Sequence, residues 1–245
     1  NAATNINRFS KYRIGTTEKI AGVDGTNYPF TYDGTTYTPL TGAPDDVLGA
    51  SHTASYKNQL FFAKGDVLTF TAPYTDNDFD AGNGAGNISV GSNITGLIAF
   101  RDQLIIFSEN KIDKLVGNTI ADFVLQPVTR NIGCIDSDTI REVAGDVVFL
   151  GPDGIRSLSG SDKVGDFDLA VISKTIQKEV TDVIFGNSSF ASVTIKNKSQ
   201  YRLLGFNSNI GDSNATGILG TQLAGPQGSM FGWAEIRGFK AFVAD

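Results

Sequence analysis

One histidine, one cysteine and a run of alternating carboxylates are the side chains here with the most distinctive chemistry. His52 is the single histidine. Ser-His-Asp catalysis would depend on it alone, and a multi-histidine metal centre is excluded. Cys134 is the single cysteine, so neither an internal disulfide nor a four-cysteine zinc site can form. Beside Gly133 it reads as a small buried apolar side chain. Asp76-Asn77-Asp78-Phe79-Asp80 begins like a calcium loop, because alternating carboxylates can converge on one hard cation. The spacing then fails: Ala81 stands where the sharp turn needs glycine, and Asn87 where a bidentate glutamate would close the shell. Gly82-Asn83-Gly84-Ala85-Gly86 has no strand leading in and no helix leading out, so it is not a dinucleotide fingerprint. Neither a P-loop nor a Gly-x-Ser-x-Gly elbow occurs. Carboxylates are spread through the chain and nothing selects a glycosidase pair. No catalytic, cofactor-binding or metal-ligating residue is therefore assigned, no cofactor is expected, and the expectation is a protein that is not an enzyme. Trp233, Tyr28, Tyr32, Tyr37 and Tyr74 could line a carbohydrate surface, although aromatics at strand positions more often pack. The Asn-x-Ser/Thr triplets at Asn87, Asn93, Asn187, Asn197 and Asn214 arise by chance in a chain this rich in Asn, Ser and Thr.

The elements that would position such residues are β in character. Glycines, aromatics and β-branched residues dominate, and small turn residues punctuate short apolar runs. The 245 residues are enough for a substantial core, and the expectation is one domain over 1–245. Because the chain begins at Asn1, a processed chain or a portion of a longer one is expected. A net charge of -6 argues against a surface built to neutralise phosphates. No apolar run approaches the ~20 residues of a membrane span.

The organising stretch is 143–160. Val147-Val148-Phe149-Leu150 is apolar on both faces, Gly151-Pro152-Asp153-Gly154 carries turn chemistry, and Ile155-Arg156-Ser157-Leu158 alternates. Similar four-mers start at Leu60 and Leu104, each followed by a polar turn and a return strand. A weaker copy is Val193-Thr194-Ile195 with Gln200-Tyr201-Arg202-Leu203, and Met230-Phe231-Gly232-Trp233 lies roughly one more step along. Hairpins recurring every 43–46 residues match β-propeller blades, and about five fit in the chain. A strand apolar on both sides must be covered on both sides, which blade-on-blade packing supplies. Asp33-Gly34 between Thr/Tyr-rich arms predicts a type I′ hairpin, and residues 1–27 predict a short strand. Leu169, Ile172, Ile176, Val180 and Ile184 predict one amphipathic helix, started by Asp168 or Ser173 and ended at Gly186-Asn187. Residues 71–92 and 205–229 read as long irregular loops that reach a partner.

The run Ile132-Gly133-Cys134-Ile135-Asp136-Ser137-Asp138-Thr139-Ile140 with 143–158 resembles segments of β-propeller-type structural proteins from tailed-bacteriophage virions. So do Ile94-Thr95-Gly96-Leu97 with Phe100-Arg101-Asp102-Gln103-Leu104, Ile172-Ser173-Lys174-Thr175-Ile176, and the opening Phe9-Ser10-Lys11-Tyr12-Arg13-Ile14-Gly15. The resemblance is good over roughly 90–185 and looser elsewhere. It implies a non-enzymatic virion protein of the tail tube, tail nozzle or head-tail region. Such a protein forms a homo-oligomer about a symmetry axis and contacts an adaptor, portal, tail tube or fibre. Its acidic balance would suit non-specific DNA passage, since a negative wall repels DNA. A glycan- or receptor-binding module of a phage fibre or secreted propeller is the alternative.

Overall fold

The computed structural model describes residues 7–159, 171–207, 215–225 and 228–239. Its strands fall into five antiparallel sheets, four of four strands and one of three, and in every sheet the spatial order is the chain order. This is the meander of a propeller blade. The blades begin at Arg8, His52, Ile94, Arg141 and Ser189, and so recur every 42 to 48 residues. Two compact units result, 1–131 and 132–245.

The 1–131 unit holds three blades. The first is β1 (Arg8–Ile14), β2 (Thr17–Val23), β3 (Phe30–Tyr32) and β4 (Tyr37–Pro39). The second is β5 (His52–Tyr56), β6 (Gln59–Lys64), β7 (Val67–Phe70) and β8 (Gly86–Ser89). The third is β9 (Ile94–Phe100), β10 (Gln103–Ser108), β11 (Ile112–Val116) and β12 (Val124–Thr129). The unbroken apolar run of β6 is explained by its two neighbours. Leu60 and Phe62 pack with Tyr12, Ala21 and Val23 of the first blade, while Phe61 and Ala63 pack with Leu104 and Ile106 of the third. Tyr56 fastens the second joint, its hydroxyl donating to the carbonyls of Asp102 (3.1 Å) and Gly117 (3.0 Å).

The 132–245 unit holds β13 (Arg141–Val143), β14 (Asp146–Gly151) and β15 (Gly154–Ser157), then β16 (Ser189–Ile195), β17 (Gln200–Phe206), β18 (Ala215–Gly225) and β19 (Gly228–Phe239). A helix, α1 (Gln177–Gly186), lies between the two sheets in sequence. Val148, Leu150 and Ile155 pack with Tyr201, Leu203 and Ile218, and Val180 and Val183 of α1 close that core. The buried Tyr201 hydroxyl donates to the Thr139 carbonyl at 2.8 Å.

Several expectations are corrected. Type I′ geometry needs positive φ at both central residues, and at the Asp33-Gly34 hairpin only Gly34 has it (φ 96). There the Asp33 side chain accepts from the amides of Thr35 (2.9 Å) and Thr36 (2.7 Å), and β4 resumes at Tyr37 after a four-residue loop. The paired positive φ values occur instead at Lys57-Asn58, Arg101-Asp102 and Ala144-Gly145, in the first hairpin of the second, third and fourth blades. Residues 1–27 yield two seven-residue strands rather than one short one. The supposed copy at 193–203 matches a different hairpin: it is β16–β17, the first and second strands of a blade, whereas 60–70 and 104–115 are second and third strands. Met230-Phe231-Gly232-Trp233 belongs to β19 of that same blade and starts no further repeat.

The helix begins later than expected, at Gln177 after a short 3-10 turn, and the expected positions Asp168 and Leu169 lie outside the described residues. Ser173 makes no cap; its hydroxyl accepts from the Ile155 amide (3.0 Å) and so ties the chain to β15. Residues 71–85 are the expected irregular connection, apart from a short 3-10 turn, but they are packed: Phe79 packs on Phe62, and Thr71, Ala72 and Ala85 are buried. Residues 86–89 are β8 rather than loop. Residues 205–229 are mostly β17 and β18; 208–214 and 226–227 lie outside the described residues. None of the helices among the described residues is long and apolar enough to cross a membrane.

Candidate interaction site

The residues singled out for chemistry are turned inward or onto their own backbone. His52 sits in β5 opposite Ala63, with Ser51 Oγ 2.8 Å from its Nδ1. Burial, helped by the charge of Arg8, pushes its pKa from 6.5 down to about 3. An imidazole that basic only below pH ~4 is a poor general base near neutrality. The Cys134 thiol donates to the Asp136 carbonyl (3.2 Å), and burial pushes its pKa up to about 12, which leaves it unreactive.

The carboxylates of 76–80 diverge. Desolvation raises the pKa of Asp76, but the hydrogen bonds from Lys19 (2.6 Å) and the Tyr12 hydroxyl (2.9 Å) outweigh it and hold the group below its usual value. Asp78 accepts from Asn83 Nδ2 and the Asp80 amide, and Asp80 accepts from the Gly82 amide at the start of the following 3-10 turn. Among the described residues no three His, Cys, Asp or Glu side chains are grouped to hold a metal.

The expected aromatic surface is also divided. Trp233 is half-buried, stacks on Phe231 and donates to the Ile172 carbonyl (3.1 Å). Tyr28 packs on the first-blade core and donates to Asp45 (3.0 Å), while Tyr74 is exposed on its own at positive φ. Only Tyr32 and Tyr37 are brought together, as register partners on one face of the first blade.

That face is the feature that stands out. The register places Phe9, Lys11 and Arg13 of β1 beside Gly22, Ile20 and Glu18 of β2. Phe30 and Tyr32 of β3 follow, then Pro39 and Tyr37 of β4. Phe9 is 61% exposed, Tyr37 60%, Ile20 39% and Tyr32 37%. The rings form a row across the sheet: Phe9 meets Phe30 edge-on at 6.2 Å, and Tyr37 tilts against Phe30 at 4.7 Å. Gly22 makes the row possible. A Cβ there would lie 2.3 Å from the Phe30 ring, so only glycine lets that ring settle flat on β2. A Lys11–Glu18 ion pair (3.0 Å) borders the patch. At 150–250 Å² per aromatic side chain, these exposures sum to about 400 Å² of contiguous apolar surface, within the range of patches that mark interaction sites.

Sequence reading passed over Phe9, Ile20 and Phe30. The available signal was that β1 and β2 carry apolar residues on both alternations, Phe9 against Tyr12 and Ile20 against Ala21 and Val23.

No protein-family model matches the chain, and no curated protein matches it. Among solved structures, a chain of the Saccharomyces cerevisiae Dbp5 complex with Nup159, Gle1, IP6 and ADP aligns with TM-score 0.50. It is 7% identical and covers 92% of this chain and 60% of its own length. Kluyveromyces lactis Hsv2 aligns with TM-score 0.49, 10% identity, and coverage of 93% and 72%. The N-terminal domain of Nup159 gives 0.48, 8%, 94% and 61%. The chain thus spans about three-fifths of the length of two of these structures. Successive antiparallel meanders recurring every 42 to 48 residues make this an all-β fold of propeller blades. At such identities the likeness is one of fold alone.

Proposed function

We propose that the chain is a non-enzymatic structural protein of a tailed-phage particle, part of the tail or head-to-tail assembly, working through protein–protein interfaces. The observation that carries the interface reading is the open aromatic face of the first blade. A ring row supported by Gly22 is held in one geometry, and rigid aromatics are the side chains that anchor interfaces. The virion setting rests on the resemblance of 90–185. The depressed His52 pKa and the locally committed carboxylates favour a scaffold over a catalyst.

The test is a pair of surface changes, Phe9→Glu with Tyr37→Glu. The variant is expected to keep its circular dichroism and melting temperature and yet to be missing from assembled particles. Normal incorporation of the folded variant refutes the reading. Glycan recognition gains one observation, the exposed Tyr32–Tyr37 pair. Specific glycan binding by the unmodified chain, lost in Tyr37→Ala, would establish that function instead.

A further inference from the structure

The last strand of each blade leaves one edge without a strand partner. Such an edge is a template for another backbone unless it is short, interrupted or covered. Four of these five edges are closed in one of those ways. β4 is three residues long and ends at Pro39, which has no N–H to offer. β8 has four residues, and the Ile120 side chain stands over it, 2.7 Å from where a Cβ on Gly86 would lie. β12 contains Pro127 and shifts register against β11. β15 has four residues, and its Ile155 is already engaged on that side. The Ile155 carbonyl accepts from the Ile172 amide (3.0 Å), and its amide donates to Ser173 Oγ (3.0 Å).

β19 has none of these guards. It runs for 12 residues without proline, and its register against β18 holds unbroken from Thr216–Arg237 to Gly225–Gly228. Among the described residues, no backbone group outside β18 bonds to it. Antiparallel strands turn their backbone groups alternately to one neighbour and the other. The Gln222 amide donates to the Ser199 carbonyl (3.0 Å), so the even-numbered residues of β18 turn to β17 and the odd ones to β19. Leu219, Thr221 and Leu223 therefore bond their register partners Ala234, Gly232 and Met230. Phe231 and Trp233 are one residue out of step, and their N–H and C=O groups point to the open side. The side chains beside that edge are apolar on both faces. Phe231 stacks on Trp233 (5.4 Å) on one, and Met230, 56% exposed, shares the other with the exposed Ala234.

We propose that the open edge of β19 takes up an extended segment of a different protein as an added strand, bonded to the backbone of Phe231 and Trp233. Four outward backbone groups at strand spacing are matched by another extended backbone. Apolar side chains on both faces call for β-branched or aromatic residues on both alternations of that segment. A second copy of this chain is disfavoured as the occupant, because each copy brings a net charge of -6, and the same charge favours a neutral or basic segment. This deepens the interface reading above and shares no residue with the ring row of the first blade.

The test pans a displayed library of random decapeptides against the full chain, then follows amide exchange of the chain by NMR with and without the best binder. In the free chain the amides of Met230, Gly232 and Ala234 are expected to be protected and those of Phe231 and Trp233 open. The peptide is expected to slow exchange at Phe231 and Trp233 roughly tenfold or more, the effect of one backbone hydrogen bond each. N-methylation of alternate peptide residues is expected to abolish binding in one phase and spare it in the other, because an added strand uses one edge of its backbone. A library that yields no binder overturns the proposal, as does a binder that leaves exchange at Phe231 and Trp233 unchanged. Protection of those two amides in the peptide-free chain, with a sedimenting mass that rises with concentration, makes a second copy the occupant and also overturns it. If the peptide result holds while Phe9→Glu/Tyr37→Glu enters particles normally, the first-blade reading fails and the β19 edge stands. If the peptide result fails while that variant is excluded from particles, the β19 edge fails and the first-blade reading stands.

Discussion

His52 should make the 1–131 unit sensitive to mild acid, because burial lowers its pKa from 6.5 to about 3. Its folded pKa of about 3 lies below the ordinary 6.5, so the unfolded chain takes up the proton first. A group depressed in this way contributes stability that is complete above the unfolded value and is lost as pH falls from there toward about 3. At ~1.36 kcal/mol per unit, going from about pH 7 to about pH 5 removes roughly 2 kcal/mol, a large part of a typical margin. Asp24, Asp33, Asp76 and Asp122 have pKa values lowered from 3.8, so their losses begin only below about pH 4 to 5. His52, the one histidine in the chain, starts from 6.5 and so acts in the interval above that. Urea unfolding followed by far-ultraviolet circular dichroism at about pH 7, 6 and 5 measures the slope. His52→Gln, which keeps a polar group of similar size without a proton to gain, is expected to flatten it. A wild-type loss below about 0.5 kcal/mol over this interval refutes the argument, as does an unchanged slope in His52→Gln.

Two further predictions concern the 143–158 hairpin. Gly154→Val is expected to lower stability by at least about 2 kcal/mol, read as a fall in melting temperature, because φ is 144 there and a Cβ would stand 2.9 Å from Ser173 Oγ and 3.0 Å from Val171. An unchanged melting temperature refutes it. Asp153→Ala is expected to cost roughly 2 kcal/mol, less than the 3–5 kcal/mol of a fully buried pair because Asp153 is 50% exposed while its partner Arg156 is buried. In a double-mutant cycle, Arg156→Met should remove most of that cost; additive effects would show that the two are not coupled.

The repeat was legible because blade strands are buried on both sides, which leaves uninterrupted apolar four-mers that stand out at fixed intervals. Leu60, Leu104 and Val147 head such runs, and the strands they head sit at the centre of the blades. The period misled at the fifth blade, because α1 and its flanks lengthen the step and the next hairpin met is β16–β17. Composition misled at 86–89 and 215–225. Glycine, asparagine and serine look like loop, yet β8 and β18 gain their order from pairing with β7 and β17, a long-range effect that local propensity does not carry. The candidate site was hidden for the opposite reason. Phe9, Ile20 and Tyr37 look like ordinary strand residues, and only the register shows that they share one face of the first blade.

Equivalent positions in the third strands sharpen this point. Thr69, Asp113 and Arg156 face Phe62, Ile106 and Phe149 across their hairpins, and all three are buried. The two charged ones are balanced from the turn of their own hairpin: Lys111 lies 2.8 Å from Asp113, and Asp153 pairs with Arg156 through its Nε (2.7 Å) and Nη2. Asp153 is therefore more than a turn former. It brings a carboxylate to a guanidinium that a blade joint could not otherwise accommodate. A blade whose buried charges are neutralised within its own hairpin presents largely apolar faces to whatever lies alongside. The cores of the joints then depend on shape and apolar area, while the ion pairs Lys19–Asp76 and Lys57–Asp102 link successive blades beside them. The exposed ring row of the first blade has the same apolar character, with the Lys11–Glu18 pair at its border.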